Sequence, residues 1–146
     1  MPASGPNMSK VLIVDDEPDV LLLLRVNLEA AGFHTVLAAD GETALARIDD
    51  ADPDVVLLDI MMPVMDGWGV LRSLADRERS PRVVVVSAKS SDRDIVRALT
   101  SGAVDYVTKP FDPDDLLEVV RRTIASSNDE LDEHRQRTID RCGGAA

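Results

Sequence analysis

Asp54-Val55-Val56-Leu57-Leu58-Asp59, continued by Ile60-Met61-Met62-Pro63-Val64-Met65-Asp66-Gly67, is the stretch that decides the fold. Four consecutive aliphatic residues without polar alternation suit a strand buried on both faces, as in a parallel sheet covered by helices. Such a strand ending on a carboxylate delivers that acid, Asp59, to the sheet edge where open α/β folds bind ligands. Three further runs behave alike. Lys10-Val-Leu-Ile-Val14 ends on Asp15-Asp16, Val83 to Val86 ends on Ser87, and Val104-Asp-Tyr-Val-Thr108 leads to Lys109. An acid pair, an acid, a hydroxyl and a lysine at one edge compose a phosphoryl-transfer site.

Between these runs the sequence reads as helices. Pro18 opens the first, where a missing N–H costs little, and Gly32 stops it. A short strand over Phe33 to Ala38 precedes a helix from Asp40-Gly41 to about Asp50 bearing Ala44, Leu45 and Ile48 on one face. From Gly67 a third helix places Trp68, Val70, Leu71 and Leu74 at helical spacing, and here Trp68 reads as packing. Ser91 or Asp92 caps a fourth that carries Ile95, Val96 and Leu99 to Gly102, and Asp112-Pro113 starts a fifth with Leu116, Leu117, Val119, Val120 and Ile124. The pattern is (βα)5, a doubly wound five-stranded parallel sheet of the flavodoxin-like kind, strand order 2-1-3-4-5. Its parallel strands bring Asp15, Asp16, Asp59, Ser87 and Lys109 to one edge.

Residues 1–9 carry Pro2, Ser4, Gly5, Pro6 and Asn7 with no periodicity and are expected to form a disordered arm. The domain is expected over 10–126. Residues 127–146 read as a charged tail or linker, with Leu131 and Ile139 almost its only apolar content and no output domain of its own.

At 146 residues the chain has room for one domain. Aromatics are 3% of residues, so Val, Leu, Ile and Ala must fill the core. The net charge of −11 repels phosphate backbones and anionic lipid, which argues against direct nucleic-acid or membrane binding by this chain and points to proteins and cations as partners. The single cysteine, Cys142, has no internal disulfide partner, and with His134 it lacks the further ligands zinc needs. His34 reads as a surface residue. No apolar run reaches membrane-spanning length and no signal-peptide pattern opens the chain, so a cytoplasmic location is expected.

Three crowded carboxylates repel one another, and a site of this kind raises one pKa or recruits a divalent cation. Hard oxygen donors without His or Cys favour Mg2+, with Mn2+ as the alternative. Asp59, alone on the central strand, is the nucleophile of choice, with Lys109 and Ser87 available to bind the remaining phosphoryl oxygens.

The residues that carry this chemistry resemble one family closely. Val-Asp15-Asp16-Glu-Pro, Leu-Leu-Asp59-Ile-Met-Met-Pro63-Val-Met-Asp66-Gly67, Val-Ser87-Ala88 and Gly102-Ala103-Val-Asp-Tyr106-Val-Thr-Lys109-Pro110-Phe111 occur in the order of the receiver domains of two-component response regulators, of the chemotaxis-receiver kind. The resemblance covers residues ~10–126. It implies that Asp59 accepts a phosphoryl group from a histidine kinase, a histidine phosphotransfer protein or a small-molecule donor. It implies Mg2+ ligation by the carboxylates of Asp16 and Asp59, by the Met61 backbone carbonyl, and by Asp15 directly or through water. Ser87, Ala88 and Lys109 would bind the phosphoryl group, Ser87 and Tyr106 would switch, and Lys109-Pro110 would be a cis peptide, which only an X-Pro bond adopts readily.

The resemblance makes the chain a signalling module rather than a turnover enzyme. Its output would leave through the fourth helix, fifth strand and fifth helix to a downstream protein or an attached domain, with a phosphorylation-dependent homodimer as one form. Ser87 stands where threonine is commoner. Met61 and Lys89 supply no carboxylate or amide to position attacking water, which implies slow self-dephosphorylation.

An aspartyl-phosphate phosphatase or phosphotransferase is the competing enzyme class, but it would want an acid at Met61. A phosphorylation-independent scaffold would be expected to have lost an acid or the lysine, and none is lost. The chain reads either as a stand-alone receiver or as a fragment of a larger, for example DNA-binding, regulator. The winged-helix subfamily is similar to it in Asp105 and Asp115 but departs at Val104 and Val119.

Overall fold

The computed structural model describes residues 9–143. Five strands alternate with five helices, and a sixth helix follows: β1 Lys10–Val14, α1 Pro18–Ala30, β2 His34–Ala38, α2 Gly41–Ala51, β3 Val55–Leu58, α3 Gly67–Ala75, β4 Arg82–Ser87, α4 Asp92–Thr100, β5 Asp105–Thr108, α5 Pro113–Ala125 and α6 Asn128–Arg141. All strand pairs are parallel and the order is β2-β1-β3-β4-β5. This is the doubly wound arrangement the alternating pattern predicts.

The uninterrupted aliphatic runs become the central strands. Val55 to Leu58 and, on one side, Val11 to Val14 are at most 1% exposed, and Val83 to Val86 on the other side at most 3%. Side chains alternate between two core layers. Leu12, Val14, Val56, Leu58, Val83 and Val85 pack with α2, α3 and α4; Val11, Ile13, Val55, Leu57, Val84 and Val86 pack with α1 and α5.

Local chemistry sets the helix ends. Asp40, Asp66, Ser91 and Asp112 each accept a backbone N–H within the first turn of α2, α3, α4 and α5, the N-cap bond that satisfies a free donor. Ser91, not Asp92, is therefore the cap of α4. After α1 and α4 the chain turns at Gly32 (φ 96°) and Gly102 (φ 118°), a conformation that glycine adopts without steric cost.

Both chain ends depart from expectation. Residues 1–8 of the expected arm lie outside the described residues, but Ser9 belongs to the fold, its carbonyl accepting the His34 N–H at 3.0 Å. The segment read as a charged tail or linker is instead a 14-residue helix, α6, with residues 144–146 outside the described part. Ser127 and Glu130 form a reciprocal capping box at its start. The Arg82 guanidinium donates to the carbonyls of Thr123 and Ser126 and to the Asn128 side chain, tying the α5–α6 junction to the foot of β4.

Candidate functional site

Backbone bonds that prolong the sheet past its strand ends place the site residues. The Asp15 N–H donates to the Ala38 carbonyl (3.1 Å), the Asp59 N–H to the Val14 carbonyl (3.0 Å) and the Lys109 N–H to the Ser87 carbonyl (2.9 Å). Each side chain is thereby fixed at the C-terminal edge by a neighbouring strand. Asp15 and Asp59 are 2% and 4% exposed and Ser87 is fully enclosed, whereas Asp16 and Ala88 lie on the surface.

Lys109 joins the two buried acids. Its ammonium lies 2.7 Å from Asp15 Oδ2, 3.3 Å from Asp59 Oδ2 and 3.5 Å from Glu17. The other oxygens are held by backbone: Asp15 Oδ1 accepts the Glu17 N–H (2.9 Å) and Asp59 Oδ1 the Met61 N–H (3.1 Å). The peptide between Lys109 and Pro110 is cis.

These contacts set the charge state. Burial pushes the Asp59 carboxyl above the usual carboxylate range and the Asp15 charge adds to this, while the Met61 N–H and Lys109 oppose it. For Lys109 burial favours the neutral amine, but the Asp15 hydrogen bond and the charges of both acids outweigh it and hold the ammonium above its ordinary value.

The crowded carboxylates are not quite the expected three. Asp15, Asp16 and Glu17 can bring one oxygen each within 4.8 Å of one another, whereas Asp59 is linked to them through Lys109. Sequence reasoning passed over Glu17, although it directly follows the acid pair. The donors suit Mg2+: they are hard carboxylate oxygens, and the exposed Asp16 faces a groove of about 350 Å³ lined also by Met61, Met62, Asp66, Trp68 and Lys89.

The loop after β3 is packed against the nucleophile strand. The Gly67 N–H donates to the Ile60 carbonyl (2.9 Å), and a Cβ at Gly67 would stand 2.5 Å from the Asp59 carbonyl oxygen. Val64, 84% exposed, takes a left-handed φ of 68°, which is costly for a β-branched residue. Trp68 is buried with Arg97 stacked 3.9 Å from its ring centroid, a cation–π contact that composition alone did not reveal.

Ser87 and Tyr106 both border the loop after β4. Ser87 Oγ accepts the Lys89 N–H (3.3 Å), and the half-buried Tyr106 donates its hydroxyl to the Lys89 carbonyl. Burial pushes the Tyr106 phenol up to about 12. Tyr106 thus sits inward, beside the residue two positions beyond Ser87.

With this geometry in view, the comparisons with known proteins agree. The family model of the response regulator receiver domain matches residues 11–121. The chain is 43% identical over 117 residues to the transcriptional regulatory protein KdpE of Mycobacterium tuberculosis, an alignment covering 80% of this chain and 51% of that one. It is 40% identical over 121 residues to the DNA-binding response regulator MtrA of Mycolicibacterium smegmatis, covering 83% and 53%. The receiver domain of the Francisella response regulator 1452 superposes with a TM-score of 0.76 at 34% identity over 80% of this chain and 96% of that one. The beryllofluoride-activated N-terminal receiver domain of Klebsiella pneumoniae RstA gives 0.76 at 31%, over 81% and 100%. The chain belongs to the response regulator receiver family of two-component signalling, and it spans about half the length of the KdpE and MtrA sequences it matches.

Proposed function

We propose that this receiver is a phosphorylation-driven switch whose phosphoacceptor is Asp59. The observation that carries the reading is the Lys109 ammonium held between Asp15 and Asp59 at the end of the central strand. An Asp59 oxygen attacks the phosphorus of a phosphohistidine, on a histidine kinase or a histidine phosphotransfer protein, or of a small acyl phosphate. The new P–O bond forms as the donor's P–N or P–O bond breaks, and the leaving group departs with the electron pair.

Lys109 offers an ammonium to the incoming phosphoryl oxygens, and Ser87 with the Ala88 backbone stands beside them. Mg2+ or Mn2+, when bound by Asp15, Asp16, Asp59 and the Met61 carbonyl, supplies charge neutralisation at the transferring phosphoryl group. Met61 and Lys89 offer no carboxylate or amide to orient water, so the acyl phosphate is long-lived and the protein acts as a switch rather than a turnover enzyme.

Ser87 and Tyr106 relay the change to the face of α4, β5 and α5, where a downstream protein, an attached output domain or a second copy reads it. The match to half the length of a transcriptional regulatory protein and of a DNA-binding response regulator favours a receiver that serves a larger regulator. A cytoplasmic site of action goes with this reading; among the described residues no helix is long and apolar enough to cross a membrane. Incubation with acetyl phosphate and Mg2+, read by intact mass, tests the proposal: one phosphoryl adduct is expected on the wild type and none on Asp59→Asn. An adduct of equal yield on both would refute it.

A further inference from the structure

Helix α6 passes the open edge of the sheet at β5 and fastens to both core layers. Leu131, 6% exposed, joins the layer of Val104, Leu116 and Val120. Ile139 packs on the opposite layer, against which Ile95 of α4 and Tyr106 of β5 also pack. Arg135 donates to the Ala103 carbonyl (3.0 Å), and His134 Nε2 lies 3.1 Å from Asp105 Oδ1. An edge strand with unpaired backbone is a ready docking template, and α6 lies against the start of this one, at Asp105 and the Ala103 carbonyl, and along α4.

The attachment is slight for its length. Of 14 residues, Leu131 and Ile139 are the large apolar anchors, eight positions apart on one face, while Asp129, Asp132, Glu133 and Arg137 face solvent. Apart from Leu131, and Ile139 packed at the margin, both core layers are built from the five strands, α1 to α5 and the loops between them, so α6 is the element whose opening disturbs the receiver least.

We propose that α6 is a displaceable intramolecular cover of the α4–β5 face, coupled through Tyr106 to the loop after β4. A partner that reads α4 and β5 must displace it. The coupling rests on one shared side chain: Tyr106 packs on the layer that receives Ile139, and its hydroxyl holds the Lys89 carbonyl, whose own N–H donates to Ser87. A change at that loop therefore shifts α6 docking, and α6 docking shifts the loop by the same factor. The link to phosphorylation rests on the reading of Asp59 as phosphoacceptor; the cover itself does not.

Cys142, the only cysteine, closes α6 next to Asp92 of α4 and serves as a built-in reporter. Thiol labelling of the full-length chain is compared between wild type and Leu131→Ser/Ile139→Ser, with amide NMR spectra of both. Labelling about tenfold faster in the double variant is expected, with β1 and β3 amides unmoved and Lys89 and Tyr106 amides shifted. Wild-type labelling as fast as in the unfolded chain, or Lys89 and Tyr106 amides that ignore the substitution, would overturn the proposal. Should the double variant unfold, Arg135→Ala, which removes only the bond to Ala103, is expected to speed labelling about threefold, and an unchanged rate counts against the cover. A beryllofluoride titration with Mg2+ separates the two readings. A difference in affinity of about threefold or more between wild type and the undocked variant supports the coupling. Equal affinities refute the coupling, and absence of binding to either refutes the Asp59 reading together with its link to α6.

Discussion

Lys109 Nζ lies 3.3 Å from Asp59 Oδ2, although 50 residues separate them in the chain. The same ammonium is 2.7 Å from Asp15, so one cation bridges two buried acids that would otherwise face each other. Lys109→Ala is expected to cost about 2–4 kcal/mol in metal-free buffer, because it leaves both carboxylates in low dielectric without their shared cation. Millimolar Mg2+ should restore part of the loss. Thermal melts with and without Mg2+ check this, and a variant as stable as wild type without metal would contradict it.

The raised pKa of Asp59 has a pH signature. Its contribution to stability is complete below its unfolded value of about 3.9 and is lost as pH rises through the higher folded value, since ionising the buried acid costs free energy. Asp59→Asn carries no such charge. It should therefore be more stable than wild type at pH 7–8, with the gain vanishing toward pH 4. Denaturant unfolding across this range would show it.

Asp15 and Asp16 are adjacent in sequence but differ in what they hold. Asp16 is exposed, so Asp16→Ala is expected to weaken Mg2+ binding about tenfold or more while changing stability by less than ~0.5 kcal/mol. Asp15→Ala also removes the ion pair with Lys109 and the acceptor for the Glu17 N–H, and should lower stability by about 1–3 kcal/mol. Calorimetric Mg2+ titrations paired with melts separate the two effects.

Gly67 is predicted to be intolerant of a methyl group. The Cβ of Gly67→Ala would meet the Asp59 carbonyl oxygen at 2.5 Å and Ile60 Cα at 2.7 Å, and backbone cannot swing aside as a side chain can. A loss of about 1–3 kcal/mol is expected, with slower phosphorylation as the strand end shifts. Normal stability and rate would show that the loop is softer than its packing suggests.

Much of this was legible because the central strands are continuous aliphatic runs, and a parallel sheet assigns their final polar residues to one edge. The helix stops at Gly32 and Gly102 and the helix starts at Asp40-Gly41 and Asp112-Pro113 follow from local chemistry, whereas the Asp66 cap of α3 emerges only in the structure. Helix α6 was missed because two apolar residues in a charged 14-residue stretch give little periodicity. The signal present was Ser127-Asn128-Asp129-Glu130, a capping-box sequence that was passed over. At the site, residue types were readable but pairings were not. That Lys109 separates Asp15 from Asp59, leaving Glu17 as the third crowded acid, depends on side-chain positions that spacing does not encode.

If Asp59 is the phosphoacceptor, the phosphoryl group can be located on its side chain. Phosphorylation by acetyl phosphate with Mg2+, reductive trapping of the acyl phosphate with borohydride and peptide mass mapping locate the modified side chain. Modification is expected at Asp59 alone, with none in Asp59→Asn; modification at Asp15 or Asp16, or undiminished modification of Asp59→Asn, would overturn the assignment.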